Sequence, residues 1–172
     1  MTSGEKKIIQ YHKLIGDLKI DLDSIKKLGE EISLVSKDIE KLPGEIPSRD
    51  LISCAAYLHH FYTGTESMFE RIARVIDGGA STSGGDYHRE LLRSMAHEIP
   101  HIRPQIISLE LAEELDEYRR FRHMFRHAYG AELRWRKMQP LANGIPAMIK
   151  EIEESYQKTI RFIEELIKAL SK

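Results

Sequence analysis

The sequence contains a single cysteine, a single tryptophan and almost no excess charge. One cysteine, Cys54, excludes an internal disulfide framework and is typical of a reducing compartment. With 26 basic and 27 acidic residues the net charge is −1, so any attraction to nucleic acid or a membrane must be local. No apolar run approaches the roughly 18 residues of a membrane-spanning helix, and residues 1–13 lack the apolar core of a signal peptide. We expect a soluble cytoplasmic protein with no membrane partner.

The overall composition is typical of a folded, helical protein. Hydrophobic residues make up 41% and charged residues 31% of 172 positions, which excludes a disordered chain and predicts one domain over residues 1–172. No segment shows the alternation of a half-buried strand. Apolar residues instead recur at threes and fours almost everywhere, so the fold class predicted is all-α.

The spacing and its breaks predict five helices. The first extends from Tyr11 to Leu42 and contains Gly16 and Gly29, each of which weakens it by about 1 kcal/mol relative to alanine. The second starts with Ser48 as its N-cap and stops at the glycines that precede a low-complexity loop over 78–85. The remaining elements are a short helix over 86–98, a third long helix over 105–129, a basic loop over 131–144, and a last helix from about 145 onward. Four helices of 25–37 residues and one short helix predict an up-and-down bundle.

The end of the third long helix carries the residues best suited to chemistry. Arg122 falls on the apolar stripe, yet its guanidinium stays charged, so it must be paired or must face a cleft or a partner. One interpretation pairs it with Glu66 or Glu70 of the second helix. His127 lies five residues further on, about 140° around an ideal helix. The two side chains converge only where the helix frays at Gly130, or between two chains.

Arginine and histidine together suit phosphodiester cleavage. Histidine exchanges protons near neutral pH, and arginine holds two phosphate oxygens and stabilises the transition state. RNA provides its own nucleophile, the 2′-hydroxyl, so this chemistry needs neither a metal nor a cofactor. His123 and His127 have the spacing of a ligand pair, but a zinc site requires two further ligands. His59 and His60 point about 100° apart, which favours one histidine facing the core over a metal site.

Residues 122–129, Arg-His-Met-Phe-Arg-His-Ala-Tyr, follow the pattern R-x4-H-x-Y and resemble the motif of HEPN-superfamily ribonucleases, specifically the HepT-like toxins. Short segments over 55–62 and 71–79 also resemble this family, so the resemblance extends over about residues 51–141. It implies a metal-independent endoribonuclease toxin of a type VII-like toxin–antitoxin system, with the motif helices of a homodimer lining one cleft. The implied partner is an MNT-type nucleotidyltransferase antitoxin that adenylylates Tyr129, which would place bulk and negative charge in the phosphate site. The residue after the arginine is histidine, where asparagine or aspartate is frequent.

This reading predicts a role for each residue of the motif. Arg122 clamps the phosphate, His127 is the general acid and base, and Tyr129 positions the substrate and is the modification site. His123 and Arg126 are supporting contacts. Further basic residues are predicted to contact RNA: Arg119, Arg120, Arg134 and Arg136.

Two other readings use the same helices. In the first, the protein is an interaction module that binds a nucleotidyltransferase or RNA without cutting it. Neutralisation of Arg122 by a bundle carboxylate, with His127 directed to solvent, would favour this module. In the second, the protein is a helical scaffold whose dimer interface tolerates Arg122. Trp135 either stacks on a base or packs the basic loop onto the bundle.

Overall fold

The computed structural model describes residues 1–79, 86–127 and 133–172, and these residues form five helices without a strand. One isolated backbone bridge joins Ile99 to Arg103 in the connector before the fourth helix. The predicted all-α bundle is therefore confirmed. The helices are α1 (Ser3–Glu40), α2 (Ser48–Ile76), α3 (Tyr87–Met95), α4 (Leu109–His127) and α5 (Trp135–Leu170).

Helix α1 begins eight residues before the first residue of the predicted stripe. Thr2 and Glu5 form a capping box: the Glu5 N–H donates to the Thr2 hydroxyl at 3.1 Å, and the Thr2 N–H donates to the Glu5 carboxylate at 2.6 Å. The helix ends at Glu40, so Leu42 lies outside it and is exposed. Polar capping, which the apolar spacing does not show, decides where this helix starts.

Helix α2 starts at Ser48, but Ser48 is not its cap. The capping position is Pro47, which makes no side-chain capping bond, so the predicted N-cap was wrong by one residue. Proline fits there because its fixed φ suits the chain entering a helix. The predicted stop is confirmed by Gly78 and Gly79, whose φ angles of 83° and 97° are in the left-handed region. Of the low-complexity loop, residues 80–85 lie outside the described residues.

Helix α4 is shorter than predicted, with 19 residues, because its N-terminal part is a connector. The backbone N–H groups of Ile106 and Ile107 both donate to the carbonyl of Met95 at the end of α3. These two hydrogen bonds hold residues 106 and 107 against the end of α3, so α4 begins only after them. The Ser108 hydroxyl then accepts from the Leu111 N–H at 3.0 Å, which is the contact of a helix cap.

The predicted basic loop over 131–144 and the start of the last helix near 145 were wrong. Helix α5 begins at Trp135 and includes Pro140 and Pro146. Each proline removes one backbone donor, but Met138 and Ala142 are buried on the same face as the rest of the helix. Burial of this face against the bundle therefore outweighs two lost hydrogen bonds.

Helix α2 contacts each of the other four described helices. Helix α1 packs along α2 and α5, α4 packs along α2, and the short α3 contacts both α2 and α4. The buried side chains are almost all aliphatic or aromatic. Within the described ranges, none of the helices combines the length and the apolar character needed to cross a bilayer.

Candidate functional site

The candidate site lies where the second half of α4 packs on α2. Leu115, Tyr118 and Phe121 are buried and hold this part of α4 against the bundle. The Tyr118 hydroxyl donates to the carbonyl of Leu141 at 2.7 Å, which ties α4 to α5. Arg122 lies one turn after Tyr118, on the same face of α4. The prediction that position 122 faces inward is confirmed, since only 11% of its side chain is exposed.

Two residues of α2 hold the Arg122 guanidinium. Its Nε donates to the Thr63 hydroxyl at 3.1 Å. One terminal nitrogen, Nη2, lies 3.7 Å from the Glu66 carboxylate, which is an ion pair but exceeds hydrogen-bond length. Glu66 is thus the carboxylate that meets Arg122, as one interpretation of the sequence proposed. Within the described residues, neither terminal nitrogen of Arg122 makes a hydrogen bond.

Glu66 also binds a residue from the third helix. It is 4% exposed, and its second oxygen contacts Nδ1 of His88 at 2.7 Å. The carboxylate therefore divides its two oxygens between His88 on α3 and Arg122 on α4. A buried carboxylate requires such partners. Its tighter contact is with the histidine, so the arginine is oriented by Glu66 without being locked to it.

His59 is a further histidine beside Arg122, one turn before Thr63 on α2. Its ring lies 5.6 Å from the Phe125 ring, and the Thr63 hydroxyl donates to the His59 carbonyl at 2.9 Å. Its Nδ1 is buried and has no hydrogen-bond partner in the described part of the chain. Burial lowers the pKa of His59, and the positive charges of His60, Arg122 and Arg126 lower it further.

His127, the histidine of the R-x4-H-x-Y motif, is the last described residue of α4. It is exposed at the last described turn, and its ring contacts the ring of exposed His123 at 4.5 Å. No hydrogen bond, ion pair or ring contact among the described residues joins His127 to Arg122. Tyr129 and Gly130 lie outside the described residues, so the predicted roles of both remain predictions.

The predicted basic residues are not equally available. Arg119 and Arg120 both donate to Asp116, at 2.6 and 2.8 Å. Burial by itself raises the pKa of Asp116. The hydrogen bonds and positive charges of the two arginines outweigh this effect, so the pKa lies below its ordinary value. Arg126 and Arg136 are exposed. Asp116 and Glu117, on the turn of α4 before Arg119 and Arg120, therefore neutralise part of the charge that was predicted to contact RNA.

Arg120 also lines a surface groove of about 420 Å³ between α3 and α4. Arg89 and Arg93 line the opposite wall, and the groove floor is apolar. Three carboxylates balance these three arginines, so the groove carries no excess charge that would favour an anion. The carboxylates are Glu113, Asp116 and Glu117.

The single tryptophan and the single cysteine both pack in or against the hydrophobic core. Trp135 is half-buried against the hydrophobic core at the start of α5, which favours packing over base stacking. Cys54 is completely buried, and burial raises the pKa of its thiol to about 11, as expected for an inert thiol. No group of three or more metal-ligating side chains is present in the described ranges.

Three polar residues around Arg122 were not predicted as site residues: His59, which the sequence analysis considered only as a core or metal-binding histidine, Thr63 and His88. A signal was present for two of them, because positions 59, 63 and 66 share one face of a helix at the spacing of four and three. That face carries polar side chains beside the apolar stripe. His88 gave no such signal, since only the packing of α3 brings it to Glu66.

A comparison with protein families matches residues 53–163 to the family described as HepT-like protein. The match covers more than half of the chain and includes most of α2, all of α3 and α4, and most of α5. No curated protein matches the chain, and no solved structure does.

Proposed function

Since the chain belongs to the HepT-like family, we propose that it is a HEPN-type toxin that cleaves RNA without a metal ion. The 2′-hydroxyl of the RNA is the nucleophile and the adjacent phosphate is the electrophile. The protein then has to hold the phosphate, stabilise its charge and move two protons. Arginine and histidine side chains are sufficient for these tasks.

The state of Arg122 is the observation that carries this proposal. Thr63 binds Nε and Glu66 orients one side of the guanidinium, while the two terminal nitrogens make no hydrogen bond within the described residues. These two nitrogens form the edge that binds two phosphate oxygens side by side. A purely structural arginine at 11% exposure would be expected to use them on the protein itself.

His127 is assigned the proton transfers at the motif end of α4. His127 is exposed and lies about 140° from Arg122 around an ideal helix. The assignment therefore requires a second chain to bring the two residues to one phosphate. A homodimer with two α4 ends facing one cleft satisfies this requirement. Arg126, Arg134 and Arg136 would then lie along the path of the RNA backbone, and Tyr129 beside the phosphate.

The proposal is tested by RNA cleavage in the presence of EDTA. We expect the wild type to cut a mixed-sequence RNA, and both Arg122→Ala and His127→Ala to be at least about 100-fold slower, as is typical when a charge-stabilising or acid–base group is lost. Arg49→Ala, which removes an exposed arginine at the start of α2, is the control and should cleave at the wild-type rate. Equal cleavage by wild type and His127→Ala would reject the role of His127.

A second candidate function is an interaction module that binds its partner without cutting RNA. The ion pair between Arg122 and Glu66 and the exposure of His127 both favour it. In this case the basic end of α4 binds a nucleotidyltransferase partner of the MNT type. Expression in cells separates the two functions: an active toxin arrests growth unless its antitoxin is present, whereas a module has no such effect.

A further inference from the structure

His59 is a histidine outside the motif that nevertheless lies close to the motif arginine, Arg122. We propose that His59 is the general base of the cleavage reaction and removes the proton of the 2′-hydroxyl while Arg122 holds the phosphate. This inference rests on the proposed function and adds a catalytic residue to it. The base would come from α2, and His127 would then serve only as the acid.

The position of His59 follows from three contacts. Thr63 accepts a hydrogen bond from Arg122 and donates one to the His59 carbonyl, so one residue connects both. The His59 ring packs against Phe125, which lies one turn after Arg122 on α4. The imidazole is thereby held between α2 and α4, close enough to Arg122 for its charge to act on the ring.

The hydrogen-bonding state of His59 is that of an uncommitted base. In the described part of the chain neither ring nitrogen makes a hydrogen bond, and no carboxylate pairs with the ring. His88 differs in this respect, because it is bound to Glu66 at 2.7 Å. Since Nδ1 of His59 is buried, Nε2 is the nitrogen assigned to the proton transfer.

The charges around His59 favour its neutral form. His60 on the same helix and Arg122 and Arg126 on α4 are the charged or titratable groups that act on it, and all are basic. Together with burial they hold the pKa of His59 below its ordinary 6.5, so the ring is ready to accept a proton at neutral pH.

The proposed step is balanced as follows. His59 accepts the proton of the 2′-hydroxyl, and the oxygen forms a bond to phosphorus as the bond from phosphorus to the 5′-oxygen breaks. The leaving 5′-oxygen takes a proton from the protonated His127. The products are a 2′,3′-cyclic phosphate and a 5′-hydroxyl, and the two histidines have exchanged protonation states.

The experiment compares His59→Gln with wild type for cleavage of a mixed-sequence RNA across pH, and for binding of a 2′-O-methyl RNA that cannot be cut. We expect cleavage to fall by about 100-fold or more, with RNA binding within about twofold of wild type. The wild-type rate should decline as the pH falls below 6.5, the ordinary pKa of histidine, and His59→Gln should lose this decline. His12→Gln, at an exposed position of α1, is the matched control.

The results separate the assignment of His59 as the base from the proposed function in RNA cleavage. If the wild type cleaves and His59→Gln cleaves equally with the same pH profile, His59 is not the base and the proposed function stands. If the wild type cleaves no RNA, both are overturned. Should His59→Gln fail to fold, His59→Phe keeps a ring against Phe125 without a nitrogen, and cleavage by this variant overturns the base assignment.

Discussion

Among the described residues, two arginines have side chains that are almost completely buried, and they differ in how many of their donors are used. The side chain of Arg103 is 0% exposed and makes six hydrogen bonds, two of them to the carboxylate of Asp77. Arg122 makes one hydrogen bond and one longer ion pair. Arg103 is therefore a structural residue that joins the end of α2 to the end of α3, whereas the terminal nitrogens of Arg122 make no hydrogen bond within the described residues and are the donors that we propose for the phosphate.

The structural role of Arg103 predicts that removal of its partner, the Asp77 carboxylate, strongly destabilises the fold. We expect Asp77→Ala to lower the free energy of unfolding by about 3–5 kcal/mol, because it leaves a buried guanidinium without its counter-charge. Asp38→Ala is the matched control, since it removes an ion pair to Lys41 whose side chains are 74% and 77% exposed. This control should change the free energy by about 1 kcal/mol or less.

Urea unfolding followed by circular dichroism measures both variants. A destabilisation by Asp77→Ala no greater than that by Asp38→Ala would contradict the structural role of Arg103. The expected order follows from solvent exposure, because water screens an exposed pair but cannot compensate a buried charge.

Helix α1 contains two interior glycines that the sequence does not distinguish. Gly16 is exposed, and a Cβ added there would meet nothing within 4 Å. Gly29 is buried, and a Cβ there would collide with Ile149 and come within 3.0 Å of Ile145 on α5. One glycine is only a weak point of the helix, while the other is needed for α5 to pack closely against α1.

These surroundings predict opposite effects of the same substitution. Gly16→Ala should raise the free energy of unfolding by about 0.5–1 kcal/mol, because alanine is the better helix former. Gly29→Ala should lower it by about 1–3 kcal/mol, because overpacking at α5 outweighs that gain. Urea unfolding of both variants beside wild type checks the signs, and stabilisation by both would show that α5 adjusts freely.

The bundle as a whole extends beyond the part that matches the family. The family match begins at residue 53, so α1 lies outside it. Yet α1 packs along α2 and α5 and contributes buried residues such as Leu18, Ile25 and Ile32 to the core. Because α2 carries Thr63 and Glu66, α1 supports from behind the helix that orients Arg122.

The proposed dimer predicts that two inactive variants restore each other. Arg122→Ala and His127→Ala, refolded together from a mixture, form heterodimers in which one intact arginine meets one intact histidine across the interface. With half of the dimers mixed and one of two sites intact in each, we expect about a quarter of wild-type cleavage. RNA cleavage in EDTA measures this recovery, and each variant refolded alone is the control.

No recovery in the mixture, with heterodimers shown to form by differently tagged chains, would place both residues within one chain. Their positions on a straight α4, about 140° apart, argue against that arrangement. The outcome therefore tests the geometry of the site separately from its chemistry.

The amino-acid pattern alone was sufficient for the fold class and for the inward position of Arg122. Both depend on a repeat of three and four residues, which is a local property of a helix. Element ends were predicted less well. The start of α4 depends on bonds from Ile106 and Ile107 to Met95, and α5 continues through Pro140 because its buried face compensates for the lost bond.

Most of the surroundings of Arg122 emerged only when the helices were packed together, although the sequence had proposed Glu66 and Glu70 as alternative partners. Thr63 lies 59 positions before Arg122 in the chain, and His88 reaches Glu66 from a third helix. Spacing within one helix shows which side chains share a face, but it carries no information on which face of another helix lies opposite. That choice depends on how three helices bury their apolar surfaces at the same time, and it made Glu66 the ion-pair partner of Arg122 and placed His59 beside it.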